Sequence, residues 1–288
     1  MEEARGAGAA RRRAALVTGG ASGVGAATAH VLASQGHDVL LCFRSSEAAA
    51  RASADAALAA APPGAGVRVE LCRCDVTSDA ECRAAAARAE ALFGRLDFVV
   101  NCAGATRLVP IEDLDGAGDE LWHSLLDANV LGALHVTRAC APLLARTAAG
   151  GGAGAPASAV VNISSVAARL VQGSSLPYAC SKAALDALTV GLARTLAPRN
   201  VRVCGVAPGF IDGEWLRSLL GEARFAAQLA AYSAATPLRR VCSPADVAAV
   251  VAQLLAPGAN MVTGQTLAVD GGMLIAGFQT ASLHASAQ

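Results

Sequence analysis

The sequence predicts an α/β fold, one doubly wound parallel sheet of about seven strands flanked by helices on both faces, and three observations predict it. Short β-branched or apolar runs alternate with helical stretches of ten or more residues. That order requires crossover connections and so parallel strands, and right-handed crossovers leave a Rossmann-type sheet as the most economical topology. A glycine-rich turn directly follows the first run. Finally, 288 residues with 54% hydrophobic and 16% charged content suffice for the core of one large domain.

The strands are expected at residues 14–18, 38–43, 67–72, 96–101, 158–164, 201–207 and 266–270, each a short run such as AALVT, DVLLCF or SAVVNIS. Gly36 and Gly94 stop the first and third intervening helices, as glycine does where a helix must end left-handed. The segment RTAAGGGAGAPAS (146–158) has no periodicity and reads as a surface loop before the fifth strand. The domain is expected over 14–275, preceded by a flexible basic tail (1–13) and followed by a tail (276–288) to which no function is assigned.

Composition excludes several classes. The formal net charge is zero, so no broad field exists to recruit nucleic acid or an anionic membrane surface. No stretch approaches the roughly 18 apolar residues a membrane-spanning helix needs, and a soluble, cytoplasmic protein is expected. The Arg- and Ala-rich N-terminus keeps organellar import open as the alternative, although Glu2 and Glu3 argue against a transit peptide. Nine Cys, an odd number scattered through apolar segments, read as reduced thiols. Cys72 and Cys74 share a strand face, but no second pair stands at ligand spacing, so no metal site is expected.

The turn after the first strand, TGGASGVG (18–25), places Gly19, Gly23 and Gly25, with Ser22 and Val24 between them, at the start of a helix. Glycine permits a tight turn and close approach of backbone to phosphate, while the N–H groups of a helix start attract anionic oxygens. This is a dinucleotide cradle, spaced TG-x-x-x-G-x-G. With CDV (74–76), NCAG (101–104), NVLG (129–132), ISS (163–165), YACSK (178–182) and PGFI (208–211) following in order, the chain resembles the classical short-chain dehydrogenase/reductase family over residues 14–272. The resemblance assigns Asp75 and Val76 to the adenine side of the coenzyme, Asn101, Ala103 and Gly104 to the end of the fourth strand beside it, and Pro208, Gly209 and Ile211 to its nicotinamide side. One departure is Gly213, where many members carry a Thr that helps hold the carboxamide.

Coenzyme choice is expected to rest on the end of the second strand, where an acidic residue would accept the ribose 2′-hydroxyl and repel a 2′-phosphate. Here the residues are Phe43, Arg44 and Ser45. A guanidinium grips phosphate bidentately, so NADP(H) is expected, with NAD the less favoured coenzyme and a solvated loop charge the alternative role for Arg44.

Tyr178 and Lys182 lie four apart in a helical stretch, on one face and one turn from each other. Lys182 is the only Lys in the chain and Tyr178 one of two Tyr. An ammonium about 5 Å away at an effective dielectric of about 20 contributes roughly 3 kcal/mol, enough to lower a phenol about two units toward neutrality. By resemblance Lys182 also binds the nicotinamide ribose, Ser165 is the catalytic hydroxyl that polarises a carbonyl, and Asn129 completes the tetrad by holding a water that links Lys182 to solvent. Ser164 is expected to face away as a structural residue. An Asn bonded locally within its helix is the alternative for Asn129. Residues 213–240 resemble the mobile segment that closes over substrate; Trp215, Leu216, Phe225 and Tyr232 either line its pocket or pack it onto the core.

The resemblance thus implies an NADPH-preferring reductase of ketone or 3-oxoacyl carbonyls, with an acyl thioester among the substrates implied, and closest in pattern to 3-oxoacyl-acyl-carrier-protein reductases. Dehydrogenation of a sugar, polyol or steroid alcohol is the alternative, and a silent dinucleotide-binding sensor the alternative of another class. A homotetramer or homodimer is implied as well, with the helices bearing Asn129 and Tyr178 at one interface.

Overall fold

Seven parallel strands run through the centre of the computed structural model, which describes residues 12–150, 152 and 156–276. They are β1 (Ala14–Thr18), β2 (Asp38–Phe43), β3 (Val69–Arg73), β4 (Phe98–Asn101), β5 (Ser158–Ile163), β6 (Val201–Pro208) and β7 (Thr266–Val269), in the spatial order β3-β2-β1-β4-β5-β6-β7. The chain winds outward from β1 to β3, then returns to β4 and winds the other way. The order therefore reverses between β1 and β4, and the crevice at their carboxyl ends is where such sheets take ligands.

Helices α1 (Gly23–Ser34), α2 (Glu47–Ala59) and α10 (Pro244–Leu255) cover one face; α3 (Asp79–Phe93), α5 (Gly132–Ala149) and α7 (Leu176–Leu196) cover the other. Between them in the chain lie α4 (Asp119–Leu126), α6 (Ala167–Leu170), α8 (Glu214–Leu220) and α9 (Glu222–Ala235). Alternate residues of one strand serve the two faces: Leu16 packs with Phe93, Cys140 and Leu144, whereas Val17 packs with Leu32, Val251 and Leu254. Burial on both sides is why the central strands read as unbroken apolar runs. Ser46, Ser78, Ser175 and Ser243 each cap a helix by accepting a backbone N–H of its first turn.

Strand limits differ from expectation where side chains replace ladder bonds. β4 starts at Phe98 rather than Leu96, because Leu96 N–H donates to Thr147 Oγ1 (3.0 Å) and the Asp97 carboxylate takes the Ala14 N–H (2.9 Å). β3 is displaced to Val69–Arg73, since Arg68 N–H donates instead to the buried carboxylate of Asp38 (3.0 Å). The loop expected from residue 146 begins later, α5 continuing to Ala149. Of the two expected tails, residues 1–11 and 277–288 lie outside the described residues. Arg12 is fastened to the sheet by Asp38 (3.2 Å) and the Ala65 carbonyl (2.8 Å). No helix among the described residues is long and apolar enough to cross a membrane.

Candidate active site

The loop between β1 and α1 closes on itself only because Gly19 and Gly25 carry no side chain. A Cβ on Gly25 would stand 2.3 Å from the Gly19 carbonyl oxygen, and one on Gly19 would stand 2.9 Å from Ala103 N. Gly23 takes a left-handed φ of +55°. Thr18 Oγ1 accepts from both Cys102 N–H and Ala103 N–H (3.1 Å each), binding this loop to the segment after β4. Val24 packs on the core, while exposed Ser22 starts α1 without a side-chain cap. The first-turn N–H groups are thus left to an outside anion. A glycine cradle against an uncapped helix start fits the diphosphate of a dinucleotide.

The expected adenine side gathers at the ends of β2 and β3. Val76 is buried beside Gly132, where a Cβ would stand 2.7 Å from Val76 Cγ2, and its carbonyl meets His135 Nδ1 (3.0 Å). Asp75 accepts from Thr77 N–H (3.0 Å) and Thr77 Oγ1–H (2.8 Å); these bonds, the backbone one foremost, hold its carboxyl below the usual range. Arg44 and Ser45 are exposed, and Arg44 makes no hydrogen bond or salt bridge among the described residues, although its charge is felt at Asp75. Asn101 stands differently from its neighbours. Its amide nitrogen is turned inside the fold, donating to Asn162 Oδ1 (2.8 Å) and Thr137 Oγ1 (3.1 Å), so it joins β4 to β5 and α5. Ala103 and Gly104 continue from there to the surface.

On the expected nicotinamide side, Pro208 ends β6 and its carbonyl accepts Val166 N–H (3.0 Å). Gly209 lies so close to the next strand that a Cβ would stand 3.0 Å from Asp270 Cα, and Ile211 bridges to Cys242. At Gly213 a Cβ would meet only ordinary contacts, Ile211 Cγ2 at 3.5 Å and Pro244 Cγ at 3.7 Å, so packing does not demand glycine there.

Ser175 caps α7 by accepting Tyr178 N–H (3.4 Å), which sets the first turn and brings the phenol to the end of β5. There the Ser165 hydroxyl, which accepts Ala167 N–H (3.1 Å), lies near enough to the phenol to act on its titration. Lys182 is buried one turn on, its Nζ 5.8 Å from the Tyr178 ring centroid and donating to the Ile163 carbonyl (2.8 Å). Burial lowers the ammonium to about 8. Burial also raises the phenol, opposed by the nearby Ser165 hydroxyl. The downward shift expected of Tyr178 is therefore absent from the protein alone: removal from water outweighs a cation whose closest partner is a carbonyl.

Asn129 lies in a π-helical turn, Asp127–Leu131, between α4 and α5. Its bonds are not local. Oδ1 accepts Ala105 N–H (2.8 Å), and Nδ2 donates to the Ala105 carbonyl (3.0 Å) and to Ser181 Oγ (2.9 Å). With both amide hydrogens engaged, its side chain can offer a water only the second lone pair of Oδ1. Ser164 is structural, as expected, its buried hydroxyl donating to the Lys182 carbonyl (3.3 Å). Two side chains that sequence reasoning passed over are Thr18 and Ser181; both stand inside quoted motifs, but their partners are distant in the chain. In the expected lid, Phe225 is fully buried, Tyr232 stacks on Phe210 at 4.6 Å and Arg217 lies 4.4 Å over Phe225. Those two aromatics seat the lid on the core, while Trp215 stays half-exposed.

Fold and site together define a Rossmann-type dinucleotide-binding protein with a Tyr–Lys pair at the carboxyl ends of its central strands. The family model described as enoyl-(acyl carrier protein) reductase matches residues 19–274. A Streptomyces violaceoruber protein assigned as ketoacyl reductase 2 of the granaticin polyketide synthase is 39% identical over 90% of this chain and 94% of its own. The 3-oxoacyl-[acyl-carrier-protein] reductase FabG of Thermotoga maritima is 32% identical over 90% and 96%. A solved Burkholderia xenovorans structure assigned to the short-chain dehydrogenases/reductases superimposes with a TM-score of 0.80 at 34% identity, covering 93% of this chain and all of that one. The chain belongs to the short-chain dehydrogenase/reductase family. It is an oxidoreductase of a family that uses nicotinamide dinucleotides.

Proposed function

We propose that the protein reduces a ketone of the 3-oxoacyl type, free or as an acyl thioester, to a secondary alcohol, or runs the reverse, with NADPH preferred over NADH. The observation that carries this reading is the buried Lys182 one helical turn from Tyr178, its Nζ 5.8 Å from the phenol ring and anchored to the Ile163 carbonyl at the end of β5, two residues before Ser165. When bound, the coenzyme supplies a hydride. Tyr178 gives its proton to the carbonyl oxygen as that oxygen gains charge, and Ser165 steadies the same oxygen by a hydrogen bond. Burial raises the phenol from an ordinary value already well above neutrality, so it is a proton donor in the protein without coenzyme. Lys182, at about 8, is mostly an ammonium at that pH and can both attract the ribose hydroxyls and stabilise a phenolate. Asn129 holds Ala105 and hence the segment through Ala103 and Gly104.

Support for NADPH comes from Arg44, exposed and without a salt bridge among the described residues at the position the family resemblance gives to a 2′-phosphate, with no acidic residue at position 43 to repel it. Support for the substrate class comes from the names of the ketoacyl and 3-oxoacyl reductases above. An assembly of two or four copies is in keeping with Leu131 and Val190, exposed beside Asn129 and on α7. The test is initial rates with NADPH and NADH over a panel of ketones and β-ketoesters. Wild type should oxidise NADPH faster than NADH, Tyr178→Phe should lose turnover by at least a hundredfold, and Arg44→Ala should lose the preference. Turnover retained in Tyr178→Phe refutes the proton donor; coenzyme binding without turnover on any substrate supports a sensor instead.

A further inference from the structure

We propose that Ser181 is a positioning residue that holds the coenzyme-side segment Ala103–Ala105 in register with the Tyr178–Lys182 turn. Ser181 is fully buried. Its hydroxyl donates to the Tyr178 carbonyl (2.7 Å) and accepts from Asn129 Nδ2 (2.9 Å). The same amide then clamps both backbone groups of Ala105, at 2.8 and 3.0 Å. One hydroxyl therefore closes a chain of bonds from α7 through the π-helical turn to the loop after β4. The fit along this chain is tight, since a Cβ on Gly104 would stand 3.0 Å from Asn129 Oδ1 and 3.6 Å from Lys182 Nζ. Freeing Asn129 lets the segment drift from the ammonium it faces. Buried hydroxyls in helices commonly serve only their own turn; this one spans three elements, and its far end is the proposed coenzyme groove.

α7 carries its own control. Thr189, two turns further along, has the same bonding pattern, donating to the Leu185 carbonyl (2.8 Å) and accepting from Asn162 Nδ2 (2.9 Å), but the amide it holds lies within β5 and reaches Asn101 rather than the Ala103–Ala105 segment. The proposal rests on the functional reading above, so the experiment measures NADPH affinity by fluorescence separately from ketone turnover, for wild type, Ser181→Ala, Thr189→Val, Asn129→Ala and the Ser181/Asn129 double variant. Ser181→Ala should weaken NADPH binding about tenfold and lower kcat about tenfold. Thr189→Val should lose comparable thermal stability with clearly smaller changes in both constants, and the double variant should bind no worse than Asn129→Ala, as expected if Ser181 acts through that amide. Equal kinetic effects in Ser181→Ala and Thr189→Val, unchanged constants in Ser181→Ala, or affinity losses that multiply in the double variant would each overturn the proposal. Should Ser181→Ala not fold, Ser181→Cys, which keeps the bulk and weakens both bonds, is held to the same criteria. Wild type that binds NADPH but reduces no ketone refutes the functional reading alone and leaves the affinities to decide this one; wild type that binds neither coenzyme refutes both.

Discussion

Lys182 shows how far one side chain can be read from its neighbours in the chain. Its offset from Tyr178 and its status as the only Lys identify the pair in the sequence. The balance of forces on the pair depends on burial, which no spacing reveals, and burial moved the phenol up where proximity to an ammonium alone would have moved it down. The same burial has a consequence for stability. Folding lowers the ammonium from its ordinary 10.5 to about 8. Between those values the unfolded chain binds more protons than the folded one, so this group makes stability rise with pH from about 8 to about 10.5. The expected gain is roughly 3 kcal/mol over that window for the protein without coenzyme. Denaturant unfolding of wild type and Lys182→Met at pH 7 to 10 measures it as the difference between the two curves. Parallel curves would mean that the ammonium is not desolvated.

Among the elements, the β1–α1 loop was the most legible, because its glycines answer to local conformation and close approach. What the pattern could not tell is which glycine is sterically required. Gly25 is, since a Cβ there would collide with a backbone carbonyl, whereas Gly36 has open space and needs glycine only for its φ of +83°. Gly25→Ala should therefore cost about 1–3 kcal/mol through displacement of the loop and weaken NADPH binding at least tenfold. Gly36→Ala should cost about 1–2 kcal/mol and leave binding as it was. Melting curves and coenzyme titrations of the two variants separate these effects; undiminished binding by Gly25→Ala would dissociate the loop from the coenzyme. The β4 boundary and the role of Asn129 were less legible for a shared reason. Asp97 and Asn129 spend their side chains on backbone groups 83 and 24 residues away, and such partners leave no trace in local periodicity.

For the whole molecule, the proposed coenzyme site draws on β1, β2, β4, β6 and α7, so a dinucleotide would tie together elements from both windings of the sheet. NADPH at a hundredfold excess over its Kd should raise the unfolding free energy by about 2.7 kcal/mol in one transition seen alike by far-ultraviolet and tryptophan signals. An unchanged midpoint would count against binding, and separate transitions would show that the two windings unfold independently. Alternation of short apolar runs with helices was enough to determine the class of fold, its seven strands and the position of the glycine cradle, because period, turn chemistry and connection handedness are local rules. The direction of the Tyr178 shift, the inward turn of the Asn101 amide, the seating of Phe225 and Tyr232, and the link from Ser181 to Ala105 were decided by tertiary structure alone. Each depends on which groups become dry together, and desolvation belongs to the packed molecule rather than to any segment of it.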